Sequence, residues 1–548
     1  MALGLAVAVA ALVVATGRLG ATSRAPSFEA QACGLPRSWL DAVRRGRFPA
    51  RSGDIALLPR TPAYMASGSG GWSHSGPWPY LTHVPLVFYG PGIVSPRGAV
   101  ARPATLADVA PTIDALLQGT PASAQQSPLP EVLPHEVRNP VGRRPRLVVT
   151  IVWDGGGWNV LRQWPRAWPN LHRIMREGVS YVRAHVGSSP TVTPSVHATL
   201  GTGSFPRRHG ISGIPVRDER GVVVDSFLGG ESSRFLRLPT LAERWDRRVG
   251  NRALIGMVGY EPWHLGMIGQ GAERPGGDRD DAAWLDIETN QWTTNEEHYR
   301  LPPSLPATEG LHDDLRATDS ADGRVDGAWR DNAILDDPTR TEEVPGFVHY
   351  HARALRKLIS EEGYGRDRTA DLLFTNFKQI DRNGHYYNMA SPEVRDAVVA
   401  SDQALGDIVA FLDHAVGRGD YVVIVTADHG QQPDAGATAG YGIDPNEVER
   451  DIDAEFGPIT RGVWPTEVFL HREEMIERGV SVAEVARWLA GYRLRDNTIR
   501  PDVLLTGTGR FEPSDRIFAM AIPSEALARL RCRIDRADRN SAETAHST

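Results

Sequence analysis

Three aspartates, Asp154, Asp381 and Asp428, each follow an apolar, β-favouring run, and two have a histidine close by: His429 directly after Asp428, His385 four residues after Asp381. Carboxylates gathered on one edge repel unless cations neutralise them. Oxygen and imidazole donors with no thiolate suit Zn2+ or a similar divalent ion. A second element is "SSPTVTPSVHATLGTG" at 188–203, where Thr193 before Pro194 reads as an N-cap with proline at the first helical position. Its hydroxyl would lie at the positive end of a helix, and a metal beside it would turn it into a nucleophile. Taken singly, each cluster also reads as a turn or an ordinary cap. Three carboxylates on one edge do not.

Four segments must position these groups: "RLVVTIVWDGGGW" (146–158), "ALIGMVGYEPWH" (253–264), "DLLFTNFKQIDRNGH" (371–385) and "YVVIVTADHG" (421–430). Each is an apolar β-run ending in a polar cluster. Helical patterns intervene. "PNLHRIMREG" carries Pro169 near its start and Gly178 just past its end, and in the segment from Ser391 onward Val394, Val398, Leu405, Ile408, Val409 and Leu412 share one face. This alternation predicts an α/β fold: a doubly wound, largely parallel central sheet with helices on both faces and chemistry at the strand C-termini. Residues 260–345 break the rhythm with Trp, Pro, Gly and acidic residues and predict a cap insertion. Its Trp263, His264, Trp284 and Trp292 could stack on a planar leaving group or build a small core of their own.

With 548 residues, 41% hydrophobic and 23% charged, the chain is globular, and a net charge of −7 argues against dedicated nucleic-acid binding. The run "MALGLAVAVAALVVATGRLG" has the length of a secretory signal core, although no Lys or Arg precedes it, and an uncleaved membrane anchor is the alternative. Two cysteines, Cys33 and Cys532, exclude a disulfide scaffold and a thiolate metal site.

The order "WDGGGW", "SSPTVTPSVHATLGTGSFPRRHGI", Asp381 with His385, then "TADHG" resembles the type I phosphodiesterase/nucleotide pyrophosphatase branch of the alkaline phosphatase superfamily. The resemblance implies an alkaline phosphatase-like fold and two divalent ions, Zn2+ expected. One would be held by Asp154, Thr193, Asp428 and His429, the other by Asp381, His385 and a last histidine. That histidine is missing after His429. The front of the chain supplies it: "SGGWSHSGPWPYLTHVPLVFYGPG" resembles the family's C-terminal segment and makes His74 the ligand. The chain therefore resembles a circular permutant. Permutation would bring "QACGLPRSW" and "IPSEALARLRC" together, and a Cys33–Cys532 bridge would close the old junction in an exported protein. Where the family places a phosphate-binding asparagine this chain has Ser212, Gly213 and Ile214. Backbone N–H groups after Thr193 or Arg217 are then expected to hold the phosphate, with His264 as a further substrate contact.

The implied organisation is a signal peptide or anchor at 1–30 and a permuted catalytic segment at 31–135. A catalytic core with the nucleophile follows at 136–259, then the cap at 260–345, a core with metal ligands at 346–535, and a tail at 536–548. The implied activity is hydrolysis of a phosphodiester or pyrophosphate bond in a small phosphate ester or nucleotide, through a phospho-threonine intermediate, outside the cytoplasm. A phosphomonoesterase on the same site, or an inactive metal-bearing binding protein, are the alternatives. Oligomeric state is not implied.

Overall fold

In the strand Leu147–Trp153 every residue but Thr150 is apolar and all seven are buried, so the strand needs cover on both faces. The computed structural model supplies it; it describes residues 25–65, 72–118, 127–133, 144–438, 440–497 and 512–532. The apolar run at 1–20 and the tail from 536 lie outside the described residues. Among the described residues no helix is long and apolar enough to cross a membrane.

The strands that carry the argument are β1 (Ile55–Pro59), β2 (Leu86–Tyr89), β3 (Gly98–Thr105), β4 (Leu147–Trp153), β5 (Val179–His185), β6 (Ile255–Val258), β7 (Asp281–Asp286), β8 (Gln291–Thr293), β9 (Asp371–Phe377), β10 (Tyr421–Thr426), β11 (Thr460–Trp464), β12 (Glu467–Leu470) and β13 (Phe518–Pro523). Nine form the central sheet in the order β8-β7-β6-β9-β4-β10-β2-β5-β3. Only β2 and β8 run against the others. The helices used below are α1 (Phe28–Cys33), α2 (Pro169–Glu177), α3 (Thr193–Thr202), α4 (Leu241–Arg248), α5 (Pro345–Leu358), α6 (Gln379–Tyr387) and α7 (Pro392–Leu412).

Successive side chains of a strand point to opposite faces, and the two cores divide accordingly. Leu147, Val149, Ile151 and Trp153 pack with Leu171 and Ile174 of α2, Phe347 and Leu355 of α5, and Val398 and Leu405 of α7. Val148 and Val152 face the other core with Val196 and Leu200 of α3 and Leu241 and Trp245 of α4. Each fully buried aliphatic side chain contributes on the order of 1.5–3 kcal/mol, so the central strands are the most strongly fixed parts of the chain.

Two parts of the expected organisation differ. Within 260–345, β7 pairs in parallel with β6 and β8 returns antiparallel, so this segment widens the central sheet instead of lying wholly over it. The short run Ala282–Leu285 forms a strand because a neighbour's edge is available to pair with; alone it is too short to announce itself. Trp284 and Trp292 are buried in the two main cores. Residues 460–523 do not all belong to the central sheet either: β11, β12 and β13 join β1 in a second, antiparallel sheet ordered β11-β12-β1-β13.

The front and back of the chain meet on this second sheet. Helix α1 packs on β13 with Ala32, Met520 and Ile522 in one small core, and Cys33 is bonded to Cys532 across 499 residues. By chain-entropy reasoning, closing so long a loop stabilises the fold by at most about 6 kcal/mol. Cys33→Ser with Cys532→Ser, or reduction of the native protein, is expected to lower the Tm, read by differential scanning calorimetry. An unchanged Tm, or free thiols titrating before reduction, would contradict the bridge.

Candidate active site

Strand C-termini deliver the acidic groups. Asp154 follows β4 directly, and Asp428 stands two residues beyond the end of β10. Asp381 is not at a strand end: β9 stops at Phe377, and Asp381 lies in the first turn of α6 with His385 one turn on. The four-residue spacing puts carboxylate and imidazole on one helix face. Gly155 has a positive φ of 70° and a Cβ there would meet Gln431 and Asp381, so only glycine lets the chain turn away this close to Asp154. Its N–H donates to Asp428 Oδ1 at 3.1 Å, joining two of the strand ends. Gly430 is required for another reason: a Cβ would lie 2.3 Å from the Tyr80 carbonyl oxygen.

His74 does arrive from the front of the chain. Its Nδ1–H donates to the Thr191 carbonyl at 2.8 Å, and the Thr191 hydroxyl donates back to the His74 carbonyl. His385 likewise donates through Nδ1 to the carbonyl of Trp72, and His429 through Nδ1 to that of Gly430 at 3.0 Å. A carbonyl only accepts, so these bonds fix the protons on Nδ1 and leave Nε2 lone pairs pointing inward. Those lone pairs face carboxylates. His74 Nε2 and His385 Nε2 lie 3.5 and 3.4 Å from Asp381 Oδ1; His429 Nε2 lies 3.3 Å from Asp154 Oδ1 and 3.6 Å from Asp428 Oδ2.

Two donor groups result, His74 with Asp381 and His385, and Asp154 with His429 and the same Asp381, while Asp428 gathers with Asp154 and His197 and lies 3.6 Å from His429 Nε2. His429 Nε2, Asp154 Oδ1 and Asp428 Oδ2 are buried without a hydrogen-bond partner. Opposed acceptors with nothing between them are costly, and a divalent cation in each group satisfies both sides. The residues therefore fit two metal ions.

Lys378 was not anticipated from the sequence. Its Nζ lies 2.8 Å from Asp381 Oδ2, 3.1 Å from Asp154 Oδ2 and 3.3 Å from Thr193 Oγ1. The aspartates thus split their oxygens, one toward imidazoles and one toward the ammonium. Burial is the largest single influence and would raise the carboxyls of Asp154 and Asp381, but Lys378 acting with His429 at Asp154, and with His385 and His74 at Asp381, holds both below the ordinary range. Burial likewise opposes the charge on Lys378, and Asp154, Asp381 and Glu261 more than restore it. The signal that could have found Lys378 is its position three residues before Asp381, in the turn that joins β9 to α6.

Thr193 is the first helical residue of α3, not its cap. Val192 takes the cap position in extended conformation, and no side chain accepts there. The Thr193 hydroxyl is therefore unspent on capping. One turn later His197 Nε2 lies 3.6 Å from Asp428 Oδ2, and Asn376 donates to Asp154 Oδ2 at 2.9 Å; neither residue is singled out by motif or spacing in the sequence. His264 and Arg217 are not brought to the site. His264 is fully buried with its Nδ1 2.9 Å from Nδ1 of His197, and Arg217 is buried against Asp54 and the Leu470 carbonyl, bracing the second sheet. A cleft of about 230 Å³ opens above Thr193 and Lys378, with Trp263, Trp464, Ile214 and Pro215 on its walls.

The model of the type I phosphodiesterase / nucleotide pyrophosphatase family matches residues 148–478, more than half of the chain. The chain belongs to this family. Among curated relatives it is similar to a protein named calcium-transporting ATPase from Myroides odoratus, 23% identical over 374 residues, and to alkaline phosphatase PafA from Elizabethkingia meningoseptica, 24% identical over 337 residues. These alignments cover 57% and 52% of this chain and 65% and 60% of the relatives, so the chain spans less than two thirds of the curated relatives' length. The crystal structure of wild-type alkaline phosphatase PafA superposes with a TM-score of 0.50 at 19% identity, covering 63% of this chain and 76% of that one. The phosphodiesterase family's fold, an alkaline phosphatase-like α/β architecture, is thereby shared.

Without a cation, burial disfavours a second proton on the inward Nε2 of His429, but Asp428, Asp154 and Asp381 draw one there and push the pKa up to about 9. A metal must displace that proton. Below about pH 9 affinity at this group is therefore expected to weaken by about tenfold per pH unit, measured by competition with a chromophoric chelator. A flat profile between pH 7 and 9 would count against the assignment.

Proposed function

We propose that the chain is a two-metal phosphoric ester hydrolase that cleaves a phosphodiester or pyrophosphate bond in a small phosphate ester or nucleotide through a phospho-threonine intermediate. The observation that carries this reading is the uncapped Thr193 hydroxyl, held at a helix start beside Lys378 and both donor groups. Asp154, Asp428, His429 and Thr193 would hold one ion and Asp381, His385 and His74 the other, with Zn2+ the expected metal. When bound, such ions supply Lewis acidity toward the nucleophile and leaving oxygens.

The chain's own residues do the rest. Thr193 Oγ, losing its proton, attacks phosphorus; the P–O bond to the leaving group breaks, and the departing oxygen takes up a proton. Water then attacks phosphorus from the vacated side, the P–Oγ bond breaks, and phosphate or its monoester leaves. Lys378 takes the place expected of Arg217. Its ammonium stabilises the Thr193 alkoxide and then a non-bridging phosphate oxygen. The walls of Trp263, Trp464, Ile214 and Pro215 leave room for the second substituent of a diester. Monoester hydrolysis is a second reading, favoured by the fixed charge of Lys378, which suits a dianionic substrate.

The Cys33–Cys532 bridge supports a place outside the cytoplasm, where disulfides persist. His74, contributed by a segment ahead of the nucleophile and outside the family match at 148–478, supports the permuted reading.

Thr193→Ala is expected to lower kcat at least about 10³-fold with metal content unchanged. Turnover at the wild-type rate would remove Thr193 from the mechanism. Lys378→Met is expected to cost about 10²–10³-fold in kcat. Comparing bis-p-nitrophenyl phosphate with p-nitrophenyl phosphate, with and without chelator, separates the two readings, and no turnover of either by metal-loaded protein would defeat both.

A further inference from the structure

A second acidic cluster lies away from the site, at the start of β7 and the end of α4. Carboxylate oxygens of Asp246, Asp278 and Asp280 all lie within 4.8 Å of one another. Strands β6 and β7 are parallel, so the start of β7 is at the edge of the sheet opposite the strand ends that carry Asp154 and Asp428.

The decisive member is Asp280. It is 8% exposed, yet among the described residues its carboxylate receives no hydrogen bond and joins no ion pair. The neighbouring cations are committed elsewhere. Arg300 is forked onto Asp281 at 2.6 and 2.9 Å, Arg274 is paired with Glu243, and Arg247 donates to the carbonyls of Glu243 and Pro275. Burial and then Asp246 and Asp278 push the Asp280 carboxyl well above its ordinary range. Asp246 keeps one contact, accepting the Ala253 N–H at 3.1 Å, and Asp278 is exposed.

We propose that Asp246, Asp278 and Asp280 form a third cation site, for a hard divalent ion of the Ca2+ class, that pins α4 to the start of β7. Three carboxylates and no nitrogen or sulfur donor select a hard ion. The exposure of Asp278 leaves coordination positions for water and a path for entry. Oxygen separations of this size match those around an ion that takes its ligands at about 2.3–2.6 Å. The site is independent of the catalytic donors, and its ion takes no part in the proposed hydrolysis.

Calorimetric titration of the zinc-loaded full chain with CaCl2 is expected to show one saturable site, together with a rise in Tm. Asp278→Asn, on an exposed residue whose change cannot unfold the core, and Asp280→Asn are each expected to weaken Ca2+ at least tenfold. Asp381→Asn, which disables the catalytic donors, is expected to leave Ca2+ binding intact. Absence of saturable binding in the wild type would overturn the proposal, as would binding that survives both Asp278→Asn and Asp280→Asn or that is lost with Asp381→Asn.

Discussion

The arrangement at the heart of this protein is the confrontation of imidazole lone pairs with carboxylate oxygens. Three histidines give their Nδ1 protons to backbone carbonyls and so turn Nε2 toward Asp154, Asp381 and Asp428. Such a set is unstable without positive charge among it. Lys378 supplies part of that charge from one side, and two divalent ions fit the remainder. The parallel sheet serves this demand: with every central strand buried on both faces, its strand ends are held rigidly enough for like charges to be kept together.

The same constraint explains why residues 72–75 matter beyond one ligand. Trp72 and His385 exchange backbone and ring hydrogen bonds, while His74 and Thr191 also bond each other two residues before Thr193. The front segment is thus laced between α6 and the start of α3. It fixes the orientation of one donor from α6 and the approach of the chain to Thr193 together. The stacking of His74 on His429, with centroids 3.5 Å apart, ties it to the other donor group as well.

Above this rigid floor the cleft is built from less regular parts. Trp464 ends β11 of the second sheet, Trp263 follows β6, and Ile214 and Pro215 lie beyond α3. Walls drawn from loops and from another sheet can change without disturbing the donors below, which is the usual division between a fixed catalytic base and a variable rim. The tryptophans divide similarly: Trp263 reaches the cleft, whereas Trp284 and Trp292 fill the cores because β7 and β8, which carry them, are covered.

Much of the central architecture was legible because local composition forces it. Runs such as Leu147–Trp153 and Tyr421–Thr426 admit little but a doubly buried strand, and polar residues just beyond them must fall at the sheet's C-terminal edge. The Asp381 and His385 pair was legible as a spacing, but its place on one face of a helix, beyond the strand end, was not. Other assignments depended on which groups meet. Arg217 and His264 carry suitable chemistry, but burial against Asp54 and His197 consumes them; Lys378, three residues before Asp381, is raised to prominence only by two carboxylates converging on it. Strand β7, the second sheet and the junction of Cys33 with Cys532 were likewise decided by tertiary pairing. Periodicity reports how one segment meets water, whereas partners hundreds of residues apart are chosen by the packing of the whole chain.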